Sequence, residues 1–478
     1  MGDILIPVYV IEQCRYSFSK LVLKFESNEE YTNSIINKLK KHNILKISST
    51  FDEDLSNLQD YDIEYENYED EDYYIFRYVG VIIVSRFVIF CYPKYLSYNL
   101  SENNKHFKQV IKVIEKYTNS KKQVLHLQNG FDESSNFNLL SIMVSLIEDY
   151  YKNGIYSNDQ KIVEFNGSGE ILWNKTINEI YPLVQNNIPY YVDFYNTKIQ
   201  NDDSDYFKLL HEVILTRCPQ DLEDAKLLDL FSLTPINLNN KDLNDFGDVD
   251  YIKYKITKEL NCQFNTHKQS VLKTMYNFLE KINFHDTNNE YFTFYGTNAY
   301  NRVWEEMCRC IFNDKMDESL INLELPVELK SEYMKYEDLK SIIDKPKWNS
   351  DNIDEDSNTR PFIPDLISLN KVGDKTELII FDAKYYNFPS KKPGIEDITK
   401  QYLYELAFKK FREDHKLIPK NCFLFPSVGE GIVNEDFVEL TMLKNIGLSE
   451  IRAVLLPVDL VNDYYLNDSF LDISKLKL

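Results

Sequence analysis

The sequence predicts a multidomain protein of mixed α+β and α/β class: a small α+β N-terminal unit, a mainly helical middle region, and a C-terminal mixed sheet flanked by helices. Three observations lead there. The chain has 478 residues, more than one ordinary core organises. β-Branched and aromatic runs bounded by turn residues alternate with stretches of helical apolar spacing. Beyond residue 286 the patterns follow the order helix, strand, strand, helix, strand, which suits a mixed sheet covered by helices. The expected domains are 1–125, 126–285 and 286–478.

In the first unit, Ser34 to Lys41 is a helical pattern, and Tyr73 to Tyr92 (YYIFRYVGVIIVSRFVIFCY) predicts a hairpin turning at Ser85-Arg86 and stopped by Pro93. Phe107, Val110, Ile111 and Ile114 recur at amphipathic-helix spacing within Lys105 to Tyr117. The middle region opens on an apolar helix, Asn138 to Lys152. FNGSGEILWNKTI (Phe165 to Ile177) follows, predicting a hairpin that turns at Gly167 and Gly169 with Trp173 as a buried anchor; a docking surface for another subunit is the alternative. Helices are expected over Tyr206 to Cys218, Leu222 to Phe231, Tyr251 to Leu260 and His267 to Ile282, and a loop over Thr234 to Asp250. In the last region the elements are a helix at Tyr300 to Phe312, a polar loop at Lys345 to Arg360, and strands at Phe362 to Leu369 and Glu377 to Lys384. A helix from Glu396 to Arg412 and a strand at Asn421 to Phe425 complete it.

Composition narrows the function. Hydrophobic residues make up 43% and aromatics 14%, a globular balance. A net charge of −22 argues against a protein that grips nucleic acid over its whole surface, so any DNA contact is local or borrowed from a partner. Much of the excess lies in Asp52 to Asp72, read as a solvated loop. Seven scattered cysteines without a CxxC pair point away from disulfides and zinc and toward a reducing cytoplasm. No signal peptide or membrane-length apolar run is present, so a soluble, cytoplasmic protein is expected. The absence of a GxxxxGK[ST] loop, an HExxH helix and a GxSxG elbow removes nucleotide hydrolysis by this chain alone, zinc proteolysis and serine hydrolysis.

One constellation carries chemistry. In an extended strand, residues two apart share a face, so Asp382 and Lys384 in LIIFDAKYY point the same way from the end of an apolar strand. Asp365 opens the neighbouring strand in RPFIPDLISL, and the short connection predicts antiparallel pairing that brings it beside Asp382. Two carboxylates and an ammonium then converge, a set suited to metal-assisted hydrolysis of a phosphodiester. The carboxylates would hold Mg²⁺, with Mn²⁺ as a substitute, and leave room for water and phosphate. Lys384 would orient the attacking water, lower its pKa or stabilise the transition state. Glu305 on the upstream helix is a third carboxylate for the metal, with Glu306 competing for that place. Gln401 is a phosphate or DNA-backbone contact, with Tyr404 one turn later.

At these residues the sequence resembles the LlaJI-type restriction endonuclease family, related to McrC, the nuclease subunit of McrBC-type systems. The matching segments are FYGTNAYNRVWEEMC (Phe294 to Cys308), KPKW (Lys345 to Trp348), FIPDLISL, IIFDAKYY and ITKQYLYELAF (Ile398 to Phe408), with weaker likeness at Phe76 to Leu96 and in GSGEILWNKTI. The resemblance implies a PD-(D/E)xK restriction-endonuclease-like fold, Mg²⁺-dependent cleavage of double-stranded DNA, and anti-phage restriction. It also implies an McrB-like AAA+ GTPase partner, docked through the N-terminal part, 1–125. One position departs: relatives place Tyr four residues after the glutamine, where this chain has Glu405. Two other readings stand beside this one, a self-sufficient restriction endonuclease and a catalytically silent nuclease-like regulator of a partner GTPase.

Overall fold

A computed structural model of the protein describes residues 5–48, 73–96, 104–128, 139–158, 160–200, 205–224, 227–288, 292–343 and 362–478. The acidic run at 52–72 and the polar loop at 345–360, with its KPKW segment, lie outside them. The chain divides into two compact units, one of Met1–Leu5 and Ser134–Tyr295, the other of Ile6–Glu133 and Gly296–Leu478. The N-terminal stretch and the C-terminal region, expected as separate domains, therefore share one unit. The physical reason is burial: Glu12 and Tyr385, far apart in sequence, are hydrogen-bonded in its interior.

In this shared unit, β1 (Ile6–Ile11) runs parallel to β3 (Phe87–Tyr92), and β2 (Val79–Val84) pairs antiparallel with β3. The turn between β2 and β3 falls where expected, with Ser85 at φ 52°. Every residue of β2 is buried, which accounts for its continuous rather than alternating apolar pattern. Tyr73–Phe76 departs from the expected hairpin: it pairs with Leu45–Ser48 and Arg15–Tyr16 in a separate sheet. Arg77, exposed between buried neighbours, marks the break. Helix α1 (Asn104–Gln128) buries Phe107, Val110, Ile111 and Ile114, the predicted stripe.

Downstream, α2 (Tyr300–Ile311) precedes an antiparallel pair, β4 (Leu366–Val372) and β5 (Lys375–Ala383). Next come α3 (Ile395–Ala407), β6 (Leu417–Ser427), β7 (Val433–Val438), β8 (Ile451–Pro457) and α4 (Val458–Leu466). The sheet order is β4-β5-β6-β8-β7, with β5, β6 and β8 mutually parallel and antiparallel strands at both edges. β5 is buried on both faces, as a central strand requires. Leu378 and Ile380 pack with Tyr404 and Phe408 of the α3 side, while Phe381, one step out of phase, stacks on Phe312 at the end of α2 with ring centroids 5.0 Å apart. The strand's period of two thus aims one face at α3 and the other at α2. The helix expected over Glu396 to Arg412 ends at Ala407, and Lys409–Asp414 continues as a separate turn of helix.

The other unit is mainly helical, with long helices at Leu139–Asn153, Tyr206–Asp224, Val249–Cys262 and Thr266–Asn288. Turns replace the expected helix from Leu227 to Phe231: the Leu227 N–H bonds the Leu222 carbonyl five residues back, and Ser232 turns left-handed at φ 55°. The Trp173 expectation is overturned as well. A three-stranded sheet (Gln160–Phe165, Glu170–Ile171, Tyr195–Gln200) surrounds that segment, and Trp173 opens a short helix with 51% of its surface exposed. Thr176 rather than Trp173 is the buried residue of that helix, its hydroxyl accepting from the Tyr195 N–H.

Gly296 has φ 154°, and a Cβ there would collide with the Val79 carbonyl and the Gly80 Cα. Gly296→Ala is expected to destabilise the unit by about 1–3 kcal/mol; an unfolding midpoint equal to the wild type's in urea would contradict this.

Candidate active site

The register of β4 on β5 pairs Leu366 with Phe381. One residue further out, Asp365 reaches across the end of the pair, and its Oδ2 accepts a 2.8 Å hydrogen bond from the Ala383 N–H. The Asp365 and Asp382 side chains are hydrogen-bonded to each other. Burial raises the pKa of both; for Asp382 the neighbouring Asp365 adds to it, bringing it to about 7. Two like charges this close oppose each other's ionisation, so the pair holds a proton well above the ordinary carboxylate range.

Lys384 projects from the same face and bridges two acids, with Nζ 2.9 Å from Asp382 Oδ2 and 2.7 Å from Asp397 Oδ1. Burial works against its charge, but Asp382 and Asp397 outweigh burial and hold its pKa above the ordinary lysine value. Its N–H bonds the Leu424 carbonyl, so the β5–β6 ladder runs on past the formal strand end and fixes the lysine's backbone.

Glu305 and Glu306 separate as adjacent helical residues must. Glu305 feels burial first and then the charges of Arg309, Asp382 and Lys384, with its pKa raised, so it faces the constellation. Glu306 accepts from the Cys310 thiol instead. Asp365, Asp382, Lys384 and Glu305 are therefore brought together.

Gln401 is not among them. It is fully buried, and its Nε2 donates to the Ile380 carbonyl at 2.7 Å. A side chain locked beneath the sheet cannot touch a phosphate, so the expected DNA contact gives way to support of the central strand. Helical spacing explains its place: Asp397, Gln401 and Glu405 lie four apart on one face of α3 and reach Lys384, Ile380 and Asn421 in turn. Tyr404 is also largely buried, its ring stacked on Phe362 at 4.4 Å.

Three supporting residues escaped the sequence reading. Asp397 is masked by its position in the first turn of α3, where an acid ordinarily complements the helix dipole. Arg309 donates from Nε to the Asp365 carbonyl at 2.7 Å. Asp314 accepts from the Ile367 N–H at 2.9 Å. The last two stitch the end of α2 to the start of β4 across more than fifty residues, a link no local pattern displays.

A divalent cation fits this donor set. Among the described residues no group of three or more His, Cys, Asp and Glu is posed as a ready cage. Mg²⁺ does not need one, since one or two carboxylates serve when water and phosphate fill the remaining positions. The shared proton between Asp365 and Asp382 marks where positive charge is wanted.

An acid pair beside a lysine at the end of a mixed α/β sheet defines the class of site, and the comparisons give the family. The model of the LlaJI restriction endonuclease family matches residues 78–459, and the chain belongs to that family. It is 29% identical over 397 residues to the type II restriction enzyme BsuMI component YdjA of Bacillus subtilis (strain 168), covering 78% of this chain and 79% of that protein. Among solved structures, it is similar to a chain of the half-complex from the tetradecameric assembly of Thermococcus gammatolerans McrB AAA+ hexamers with bound McrC. The TM-score there is 0.40 at 11% identity, covering 97% of this chain and 99% of that one. It is also similar to a chain of the McrBC complex of the same organism, with a TM-score of 0.23 at 12% identity over 63% of this chain and 85% of that one.

An aspartate whose pKa is raised by folding stabilises the fold fully below its unfolded value and loses that contribution as pH rises through the folded one. For Asp382 the window runs from 3.8 to about 7. In metal-free protein, Asp382→Asn should flatten the fall in melting temperature between about pH 4 and about pH 7. An identical slope in wild type and variant would contradict the shared proton.

Proposed function

We propose that the protein is the DNA-cleaving subunit of a restriction system, a Mg²⁺-dependent endonuclease of PD-(D/E)xK type that works with an McrB-like AAA+ GTPase in the cytoplasm. The observation that carries this reading is the convergence of Asp365, Asp382 and Lys384 at the end of two paired strands, with Glu305 facing them.

Asp365 and Asp382 would hold the cation, with Glu305 alongside and Mn²⁺ able to take its place; once bound, the ion supplies neutralisation of charge developing on the phosphate. The protein's own residues do the rest. Asp382 would serve as a ligand in its ionised form, its proton released to solvent, which its pKa of about 7 allows near neutrality. Asp365 is held by the Ala383 N–H and keeps its orientation through that change. Lys384 remains charged, and Asp397 holds the ammonium independently of Asp382. A fixed ammonium beside the reacting phosphate stabilises a pentavalent transition state and orients the attacking water. Gln401 acts beneath the sheet by holding the Ile380 carbonyl two residues before Asp382.

Partner dependence rests on four observations. The chain has no phosphate-binding loop, and its net charge of −22 leaves DNA gripping to another subunit. A separate two-stranded hairpin, Leu183–Gln185 with Ile188–Tyr190, exposes Leu183, Val184, Ile188 and Tyr190, and Tyr181 just before it is exposed too, more apolar side chain than solvent favours. The BsuMI relative is itself described as a component.

Cleavage of DNA by the chain with Mg²⁺ should be weak alone and strong when an McrB-like AAA+ GTPase partner and GTP are added. Asp382→Ala and Lys384→Ala should each reduce the assembled activity on the order of a hundredfold or more while the fold is retained. Undiminished cutting by both variants would place the active site elsewhere, and equal cutting without the GTPase would remove the partner.

A further inference from the structure

Five side chains from distant parts of the chain meet beside the active site, behind its lysine. Glu12 follows β1, Lys94 and Tyr95 follow β3, Tyr300 opens α2, and Tyr385 follows Lys384 directly. All are buried, Glu12 and Lys94 to within 4% and 5% of full burial although both are ionisable. Tyr385 Oη donates to Glu12 Oε2 at 2.6 Å. The Lys94 ammonium sits 4.4 Å from the centroid of the Tyr385 ring and donates to Gln13 Oε1 at 2.8 Å. Tyr300 lies against the same ring at 5.4 Å, and its hydroxyl is 3.2 Å from that of Tyr95.

The position of this joint is what gives it a role. Because side chains alternate along an extended strand, Tyr385 points away from the face that carries Asp382 and Lys384. Its anchorage therefore fixes the backbone of the lysine from behind without touching the reacting groups. Tyr300 is five residues before Glu305 on the same helix, so one cluster constrains two of the elements that deliver the site's acids, α2 and β5. Apolar packing alone would seal this interface at less cost, since burying a carboxylate and an ammonium is expensive. A buried polar set has one satisfactory geometry, whereas an apolar contact tolerates sliding.

We propose that Tyr385, together with Glu12 and Lys94, forms a positioning joint through which the N-terminal sheet sets the alignment of Asp382 and Lys384 with Glu305. This inference rests on the nuclease reading and adds to it: the N-terminal segment becomes part of the catalytic apparatus by holding the strand that carries it. The residues of the joint do not touch substrate. They act through the backbone of β5 and the start of α2.

Two readouts on the full-length chain test it. Binding of Mg²⁺ to the acid cluster should raise the wild type's melting temperature, and Asp382→Ala should abolish that rise. Tyr385→Phe and Glu12→Gln, each nearly isosteric, should keep a folded protein in which the Mg²⁺-induced rise is reduced by half or more. In the assembled system both variants should lower kcat about tenfold or more with KM for DNA unchanged, the mark of misplaced chemistry rather than lost binding. The double variant should cost no more than the worse single one, since Tyr385→Phe removes and Glu12→Gln weakens the same hydrogen bond. A wild-type Mg²⁺ response in both variants, or cleavage that falls only as far as the folded fraction falls, overturns the joint. No Mg²⁺ response in the wild type, with full cleavage by Asp382→Ala, overturns the nuclease site on which it rests.

Discussion

Everything distinctive about this protein depends on the hydrogen bond from the Ala383 N–H to Asp365 Oδ2 and on the strand register behind it. With Leu366 opposite Phe381, Asp365 has no strand partner of its own and can close over the end of β5. A shift by one residue would turn Asp382 and Lys384 to the opposite face and leave two ionisable groups in an apolar layer. The register is protected accordingly. Arg309 holds the Asp365 carbonyl, Asp314 holds the Ile367 N–H, and Gln401 holds the Ile380 carbonyl. Each ties a backbone group of one of the two strands to a neighbouring element.

The electrostatics follow from that closure. Two carboxylates driven together by backbone geometry share a proton, and a lysine held between Asp382 and Asp397 stays charged. The acid pair is thus a frustrated arrangement, stable enough to fold, which the proposed cation would relieve. Such local cost is common where a structure is built for chemistry rather than for stability. The frustration is confined to the exposed end of the sheet, while the strands beneath it are packed with Leu378, Ile380 and Phe381.

The centre of the site could be read from the sequence because it depends on short-range rules. A strand's period of two pairs Asp382 with Lys384, and a short connection predicts the antiparallel neighbour that brings Asp365. The turn at Ser85 and the buried stripe of α1 were legible for similar reasons. Gln401 was misread because a polar residue on an amphipathic helix is ordinarily assigned to solvent, and α3 instead turns a polar row toward the sheet. Trp173 was misread because its short helix turns Thr176, three residues on, toward the sheet instead. The strands β7 and β8 and helix α4, which complete the sheet's far edge, were not anticipated at all. Nor could the bond between Glu12 and Tyr385 be foreseen, since it joins residues 373 apart and belongs to the tertiary fold alone.

The central claim is that the acids at the end of β4 and β5 form a divalent-metal site. Anomalous diffraction from crystals of the full-length protein soaked in Mn²⁺ tests it most directly. The account predicts a peak bonded to carboxylate oxygens of both Asp365 and Asp382, with the Lys384 ammonium still on Asp397. Manganese bound elsewhere, with Asp365 and Asp382 still sharing their proton at saturating metal, would contradict it.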